Sequence, residues 1–177
     1  MVQLISVDSV ENLDSHAFAS ILNALLTAEA DYRNVPLTDL DLTLRISDPD
    51  AGIDGRINWP KDVEHDVLAA GQNVVQYKSG ELTISQLVKE FGKPGVQAAL
   101  SRSGHYVLFV GRAYVKRDRE TRAAKLKSLC EAAGIAPGLC TILYGDQIAR
   151  WISRFNSVVI RPELGLGYPA FVTVELL

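Results

Sequence analysis

Asp54, Gln76 and Lys78 place a carboxylate, an amide and an ammonium in two short segments, GIDGRI and NVVQYKSG. The valines and the tyrosine of the second segment predict a buried strand. On a strand, side chains two residues apart point the same way, so Gln76 and Lys78 share a face. Burying an amide or an ammonium without a partner is costly, and Asp54 is the candidate partner. Oxygen donors of this kind suit a hard cation such as Mg²⁺ or Mn²⁺. A lysine beside it could activate water or stabilise negative charge.

A purely structural interpretation of the three residues stays open. Asp54 and Lys78 could form an ion pair, with Gln76 hydrogen-bonded to it. A buried pair of this kind adds no stability over apolar packing, which favours a chemical role.

The order of these residues resembles a known enzyme superfamily. An Asp followed, after a gap, by Gln-x-Lys in a strand resembles the PD-(D/E)xK nucleases, and GIDG…VVQYKSG is similar to their Mrr-like restriction endonuclease branch. The resemblance implies a magnesium- or manganese-dependent DNA endonuclease with Asp54, Gln76 and Lys78 as catalytic residues. It implies that Asp54, Gln76 and the Tyr77 carbonyl hold the metal, while Lys78 acts on the attacking water or the transition state. The implied fold is a restriction-endonuclease-like three-layer α/β sandwich, in which helices flank a central mixed sheet.

Glu29, near the end of the first predicted helix, is a further metal-ligand candidate. Many members of the superfamily carry a Glu on this helix that reaches the metal. In the Mrr-like pattern that Glu commonly follows the first-turn Phe, whereas here Ala19 follows Phe18. The alternative is that Glu29 is an exposed carboxylate at a helix end.

The resemblance also implies partners. Members of this branch often serve restriction or defence against foreign DNA, as effector domains of larger proteins with an NTPase or sensor part. A homodimer would suit an enzyme that cuts both strands. The competing hypothesis is a non-catalytic domain of nuclease-like fold that binds DNA or protein.

Length and composition are those of one ordinary domain. The chain has 177 residues, 47% of them hydrophobic, and a net charge of −3. No apolar run is long enough to cross a membrane, and the acidic N-terminus lacks the features of a secretory signal, so we expect a cytoplasmic protein.

We expect Cys130 and Cys140 to be reduced core thiols. We assign residues 1–160 to the nuclease-like domain and 161–177 to an arm or linker toward a further domain.

Residues 112–127 are strongly basic in an otherwise acidic chain. We expect four of their side chains to bind DNA phosphates: Lys116, Arg117, Arg119 and Arg122. The alternative is a solvated helix face whose charges form internal ion pairs. For the local cluster of Glu64, His65 and Asp66 we expect surface positions.

Apolar spacing and capping residues predict the remaining elements. Helices are expected over residues 14–30, 83–91, 94–102, 114–133 and 146–155, with Asp14 or Ser15, Thr83 and Asp146 as caps. Strands are expected over 42–46, 56–59, 74–78, 105–110 and 139–143, with a final short one over 158–160. This alternation favours an α/β sandwich around a mixed sheet.

Overall fold

The computed structural model describes residues 5–42 and 52–164. Within them, seven helices surround a single five-stranded sheet. The strands are β1 Leu40–Leu42, β2 Gly55–Trp59, β3 Gly71–Lys78, β4 His105–Val110 and β5 Cys140–Leu143. The helices are α1 Val7–Glu11, α2 Ser15–Tyr32, α3 Ile84–Phe91, α4 Pro94–Leu100, α5 Lys116–Ala132, α6 Gly145–Ile152 and α7 Asn156–Val159.

The sheet is mixed, and its strands lie in chain order, β1-β2-β3-β4-β5. Strand β2 pairs antiparallel with β1 on one side and with β3 on the other, whereas β3, β4 and β5 are parallel. Helices α3 and α4 connect β3 to β4, and α5 connects β4 to β5, as parallel neighbours require. The pairing of β2 with β3 ends at Gly55 and Val75, so the last residues of β3 extend beyond β2.

Each face of the sheet has its own apolar core. On one face, here the α2 face, Val75 and Phe109 pack among residues of α1, α2, α6 and α7. On the other, the α5 face, Val74 and Leu108 pack among residues of α3, α4 and α5. Strand β4 is apolar throughout because both of its faces are buried. The predicted three-layer α/β arrangement, a mixed sheet between helical layers, is therefore confirmed.

Local signals gave most of the elements correctly. Asp14 caps α2 by accepting the N–H of Ala17 at 2.8 Å, and Thr83 caps α3 in a capping box with Gln86. The strand predicted over 158–160 is wrong, because Asn156–Val159 is a helical turn with Val158 and Val159 buried. An apolar run this short does not distinguish a strand from a buried turn of helix.

Three further expectations concern the ends and the first strand. Helix α1 was not predicted, and β1 begins two residues earlier than expected, at Leu40. The rest of the strand predicted over 42–46 lies outside the described residues, as do positions 165–177 of the proposed arm. The start of that arm packs on the domain, since Leu164 is 4% exposed and belongs to the core on the α2 face.

Candidate functional site

Asp54 is held at the point where β3 outruns β2. Its backbone N–H donates to the carbonyl of Val75 at 2.9 Å, and its Oδ2 accepts the N–H of Tyr77 at 2.7 Å. The pairing of β2 with β3 ends at Gly55, so Tyr77 has no partner residue on β2. The Asp54 side chain instead accepts the hydrogen bond from the Tyr77 N–H. The carboxylate is thereby positioned beside the backbone of β3.

Gln76 is buried on the α5 face and is hydrogen-bonded to two neighbours. Its Oε1 accepts the hydroxyl of Tyr106 at 2.6 Å, and its Nε2 donates to Glu90 of α3. Glu90 also pairs with Lys93, one turn later along the chain. Gln76 and Glu90 are only 3% and 8% exposed, so the amide, the carboxylate and the phenol form a buried network.

The Tyr106 hydroxyl is influenced by the charges of both Glu90 and Asp54. Burial raises the pKa of Tyr106 well above its ordinary value of 10.0, and the charges of Glu90 and, more weakly, Asp54 add to that rise. The side chain of Lys93, which pairs with Glu90, crosses Gly52, two residues before Asp54, so closely that a Cβ there would overlap it. Gly52 has φ +87°, a conformation that also favours glycine. We call Asp54, Gln76, Lys78, Glu90 and Lys93 the β3 site.

Lys78 lies at the end of β3, opposite Val110 of β4. It follows Gln76 on the α5 face and is partly exposed. Its ammonium forms no ion pair with any residue of 5–42 or 52–164, so an Asp54–Lys78 pair is not what holds these side chains. The structure thus brings Asp54, Gln76 and Lys78 to one end of β3, where Asp54 and Lys78 are both partly exposed.

The oxygen atoms of the β3 site are of the types that bind hard divalent cations. Asp54 and Glu90 carry carboxylates, Gln76 carries an amide oxygen, and the carbonyl of Tyr77 lies beyond the last β2–β3 pair. Within the described ranges no cluster of three or more His, Cys, Asp or Glu could hold a metal ion. A cation would therefore depend on the amide and carbonyl oxygens as well as on two acids, one of which is balanced by Lys93.

Glu90 was missed by the sequence analysis, although a signal was present. Leu87, Glu90 and Phe91 are the buried residues of α3. An acid between two apolar residues of one helical face requires a buried partner. What the pattern could not identify is that partner, which comes from β3.

Glu29 lies on the other side of the sheet from Gln76. Its Oε1 accepts Arg33 Nε at 3.0 Å and lies 3.4 Å from His65 Nε2, and its Oε2 accepts Trp151 Nε1 at 2.6 Å. Trp151 stacks on Phe109 in the core of the α2 face. The structure therefore does not bring Glu29 to the β3 site, and the alternative of an exposed carboxylate is wrong, since Glu29 is 0% exposed.

The partners of Glu29 lower its pKa. Burial acts to raise that pKa, but the hydrogen bonds from His65, Trp151 and Arg33 outweigh it and bring the value from 4.5 to about 2. The carboxylate is thus ionised at neutral pH inside the α2-face core.

His65 is buried, contrary to the surface position expected for residues 64–66. Its side chain is 3% exposed, and its Nδ1 accepts the N–H groups of Val67 and Leu68 at 3.0 and 2.9 Å. With Nδ1 accepting twice, the proton of neutral His65 is on Nε2, facing Glu29. Glu64 and Asp66 are exposed, as expected.

The basic residues of α5 divide into two groups. Arg119 donates to Asp146 Oδ1 at 2.6 Å and to the carbonyl of Tyr114, and Arg122 donates to the carbonyls of Leu82 and Asp118. These two guanidinium groups fasten α5 to its neighbours, in line with the alternative of internal pairing.

Lys116 and Arg117 are instead exposed at the start of α5. The only ion partner of Lys116 among the described residues is Glu120, at 3.8 Å. Of the four predicted phosphate-binding residues, these two remain available to an external anion.

The two cysteines are free thiols, with Sγ atoms 3.5 Å apart; Cys130 is buried and Cys140 partly so. No helix in the described part of the chain has the length and apolarity needed to cross a membrane.

Comparison with known proteins gives no match: no protein-family model, no curated protein and no solved structure is significantly similar to this chain.

Proposed function

We propose that the chain is a metal-dependent DNA endonuclease whose catalytic residues are Asp54, Gln76 and Lys78. The observation that supports this most is the grouping of two carboxylates, an amide and an ammonium that has no ion partner among the described residues, at the partly exposed end of a core strand. A buried acid such as Glu90 adds no stability over apolar packing, and sites with such charged groups are candidates for function.

The roles follow from the chemistry of each side chain. Asp54, Gln76, Glu90 and the Tyr77 carbonyl supply oxygen donors for Mg²⁺ or Mn²⁺. When bound, the cation supplies a water of lowered pKa and neutralises charge on the phosphate. Lys78 orients that water or stabilises the pentacovalent state, and Tyr106 holds the Gln76 amide in position. Glu90 replaces Glu29 as the second acid in this assignment, because it contacts Gln76 directly.

A non-catalytic nuclease-like domain remains the second candidate, and one observation favours it. Gln76 and Glu90 are satisfied within the protein by Tyr106 and Lys93, without a cation. Such a domain would bind DNA or protein through the same surface.

Cleavage of supercoiled plasmid distinguishes the two functions. The intact chain is expected to nick DNA in Mg²⁺ or Mn²⁺ but not in EDTA. Lys78→Ala and Asp54→Asn should lower the rate at least ~100-fold, as losses of groups acting in the transition state do. Lys89→Ala is the matched control, because Lys89 is an exposed lysine of α3. Metal-dependent cleavage that survives both site substitutions would refute the catalytic assignment. Binding without cleavage would support the second candidate.

The defence role, a dimer and an NTPase or sensor domain in the same polypeptide are also proposals. They rest on the sequence resemblance, and a cytoplasmic location rests on composition.

A further inference from the structure

Beside the β3 site lies a second, positively charged cleft. It has a volume of about 360 Å³ and lies between β2, β3 and α4, with Arg56 and Arg102 among its lining residues. Gln72, Pro94 and Ala98 line it between the two arginines. We call these five residues the arginine cleft.

The arginine cleft and the β3 site share the α5 face of the sheet. Gln72, Val74 and Gln76 alternate along β3 and so point to the same side. Gln72 and Gln76 are about 13 Å apart, at about 3.3 Å per strand residue. Pro94 directly follows Lys93, whose ammonium pairs with Glu90 of the β3 site. The cleft therefore continues the β3 site along the strand.

The two arginines of the cleft are far less engaged than those of α5. Arg102 is exposed, and its guanidinium makes no hydrogen bond or ion pair within residues 5–42 and 52–164. In the part of the chain that the structure describes, the only ion partner of Arg56 is Asp41, at 4.0 Å, with both side chains at least half exposed. A contact this long and solvated contributes little. Arg119 and Arg122, in contrast, are committed to carbonyl and carboxylate partners.

We propose that the arginine cleft binds the phosphate backbone of the DNA strand next to the scissile position. The inference rests on the proposed nuclease function and names the surface that holds its substrate. Guanidinium groups suit phosphate because their planar donors match its oxygens. At a rise of about 3.4 Å per nucleotide, the length of β3 from Gln72 to Gln76 corresponds to about four nucleotides. DNA held in the cleft therefore reaches the end of β3 where Asp54 and Lys78 lie.

Salt-dependent binding of a short fluorescein-labelled duplex, followed by anisotropy, tests this surface. Ca²⁺ replaces Mg²⁺, and a gel confirms that the probe stays intact. The variant Arg56→Gln/Arg102→Gln is compared with Lys61→Gln/Lys89→Gln, which removes the same charge from exposed lysines outside the cleft and outside α5. Each phosphate contact contributes about 0.9 to the slope of log K against log salt. The cleft variant should lose about two units of slope and bind at least ~10-fold more weakly, while the lysine variant stays near the intact chain.

The possible results are distinct. Loss of slope in the lysine variant but not in the cleft variant would overturn the inference, and so would unchanged slopes in both. If the cleft variant also cleaves plasmid at the intact rate, the inference fails while the nuclease function stands. If the intact chain neither binds duplex nor cleaves plasmid, the proposed function fails and the inference with it. Circular dichroism of both variants excludes unfolding as a cause.

Discussion

Replacing Glu29 by glutamine is expected to destabilise the protein in a pH-dependent manner. Glu29 is ionised in the core and accepts from three donors, on Arg33, His65 and Trp151. The substitution removes the charge and presents an amide N–H₂ to donors that already point inward. Buried hydrogen-bond donors that lose their acceptor are among the known causes of a large decrease in the free energy of unfolding.

The magnitude follows from the pKa of Glu29. Its folded value of about 2, against 4.5 for an ordinary glutamate, corresponds to about 3 kcal/mol of stability at neutral pH. Because the folded pKa is depressed, this contribution is complete above pH 4.5 and is lost as the pH falls toward about 2. At pH 3 roughly 1.5 kcal/mol of it should remain.

Urea unfolding followed by tryptophan fluorescence measures the difference. At pH 7, Glu29→Gln should be less stable than the intact chain by about 3 kcal/mol, and at pH 3 the gap should shrink by about half. Asp31→Asn is the matched control, since Asp31 is an exposed carboxylate on the same helix, and it should change stability by less than about 0.5 kcal/mol. A gap of equal size at pH 7 and pH 3, or none at pH 7, would refute the reasoning.

The same variant tests the first role predicted for Glu29. Since Glu29 lies on the α2 face, binding of Mn²⁺ by folded Glu29→Gln should match that of the intact chain. A weakened Mn²⁺ isotherm, measured where the variant is fully folded, would restore Glu29 as a metal ligand.

Two further predictions concern packing and thiol chemistry. Gly145→Ala should lower the free energy of unfolding by about 1–3 kcal/mol, the range typical of overpacking. A Cβ at this position would lie 2.3 Å from the carbonyl oxygen of Gly111. Gly138→Ala, with nothing within 4 Å of its Cβ, should change the urea midpoint little. Burial, together with the adjacent Cys130 thiol, raises the pKa of Cys140. Native Cys140 should therefore react with iodoacetamide at pH 8 at least ~10-fold more slowly than in urea, as mass spectrometry would show; equal rates would contradict its burial.

Elements with long, regular patterns were predictable from the chain alone. Helix α2 has apolar residues at helical spacing and an Asp cap, and β4 is an unbroken apolar run, so both local propensity and burial point the same way. The short run at residues 156–160 and the helix α1 lack such agreement. Their conformation depends on the core that they meet, which no local window contains.

The β3 site was predictable in part. The alternation of β3 places Gln76 and Lys78 on one face from sequence alone, and the Gly-flanked Asp54 can be paired with them by chemistry. The sequence also shows Glu90 between apolar positions of a helix, without showing what it contacts.

Tertiary structure alone decided which charged groups meet. Glu29 and His65 belong to different elements, and only the packing of α2 against the loop before β3 joins them with Trp151. Likewise, the position of α5 determines that Arg119 and Arg122 bind carboxylate and carbonyl groups of the protein itself. Sequence determines what each side chain can do and which way it faces locally, because strand and helix periods are local. Which partner satisfies a buried charge is set by contacts between segments far apart in the chain, and these exist only once the chain has folded.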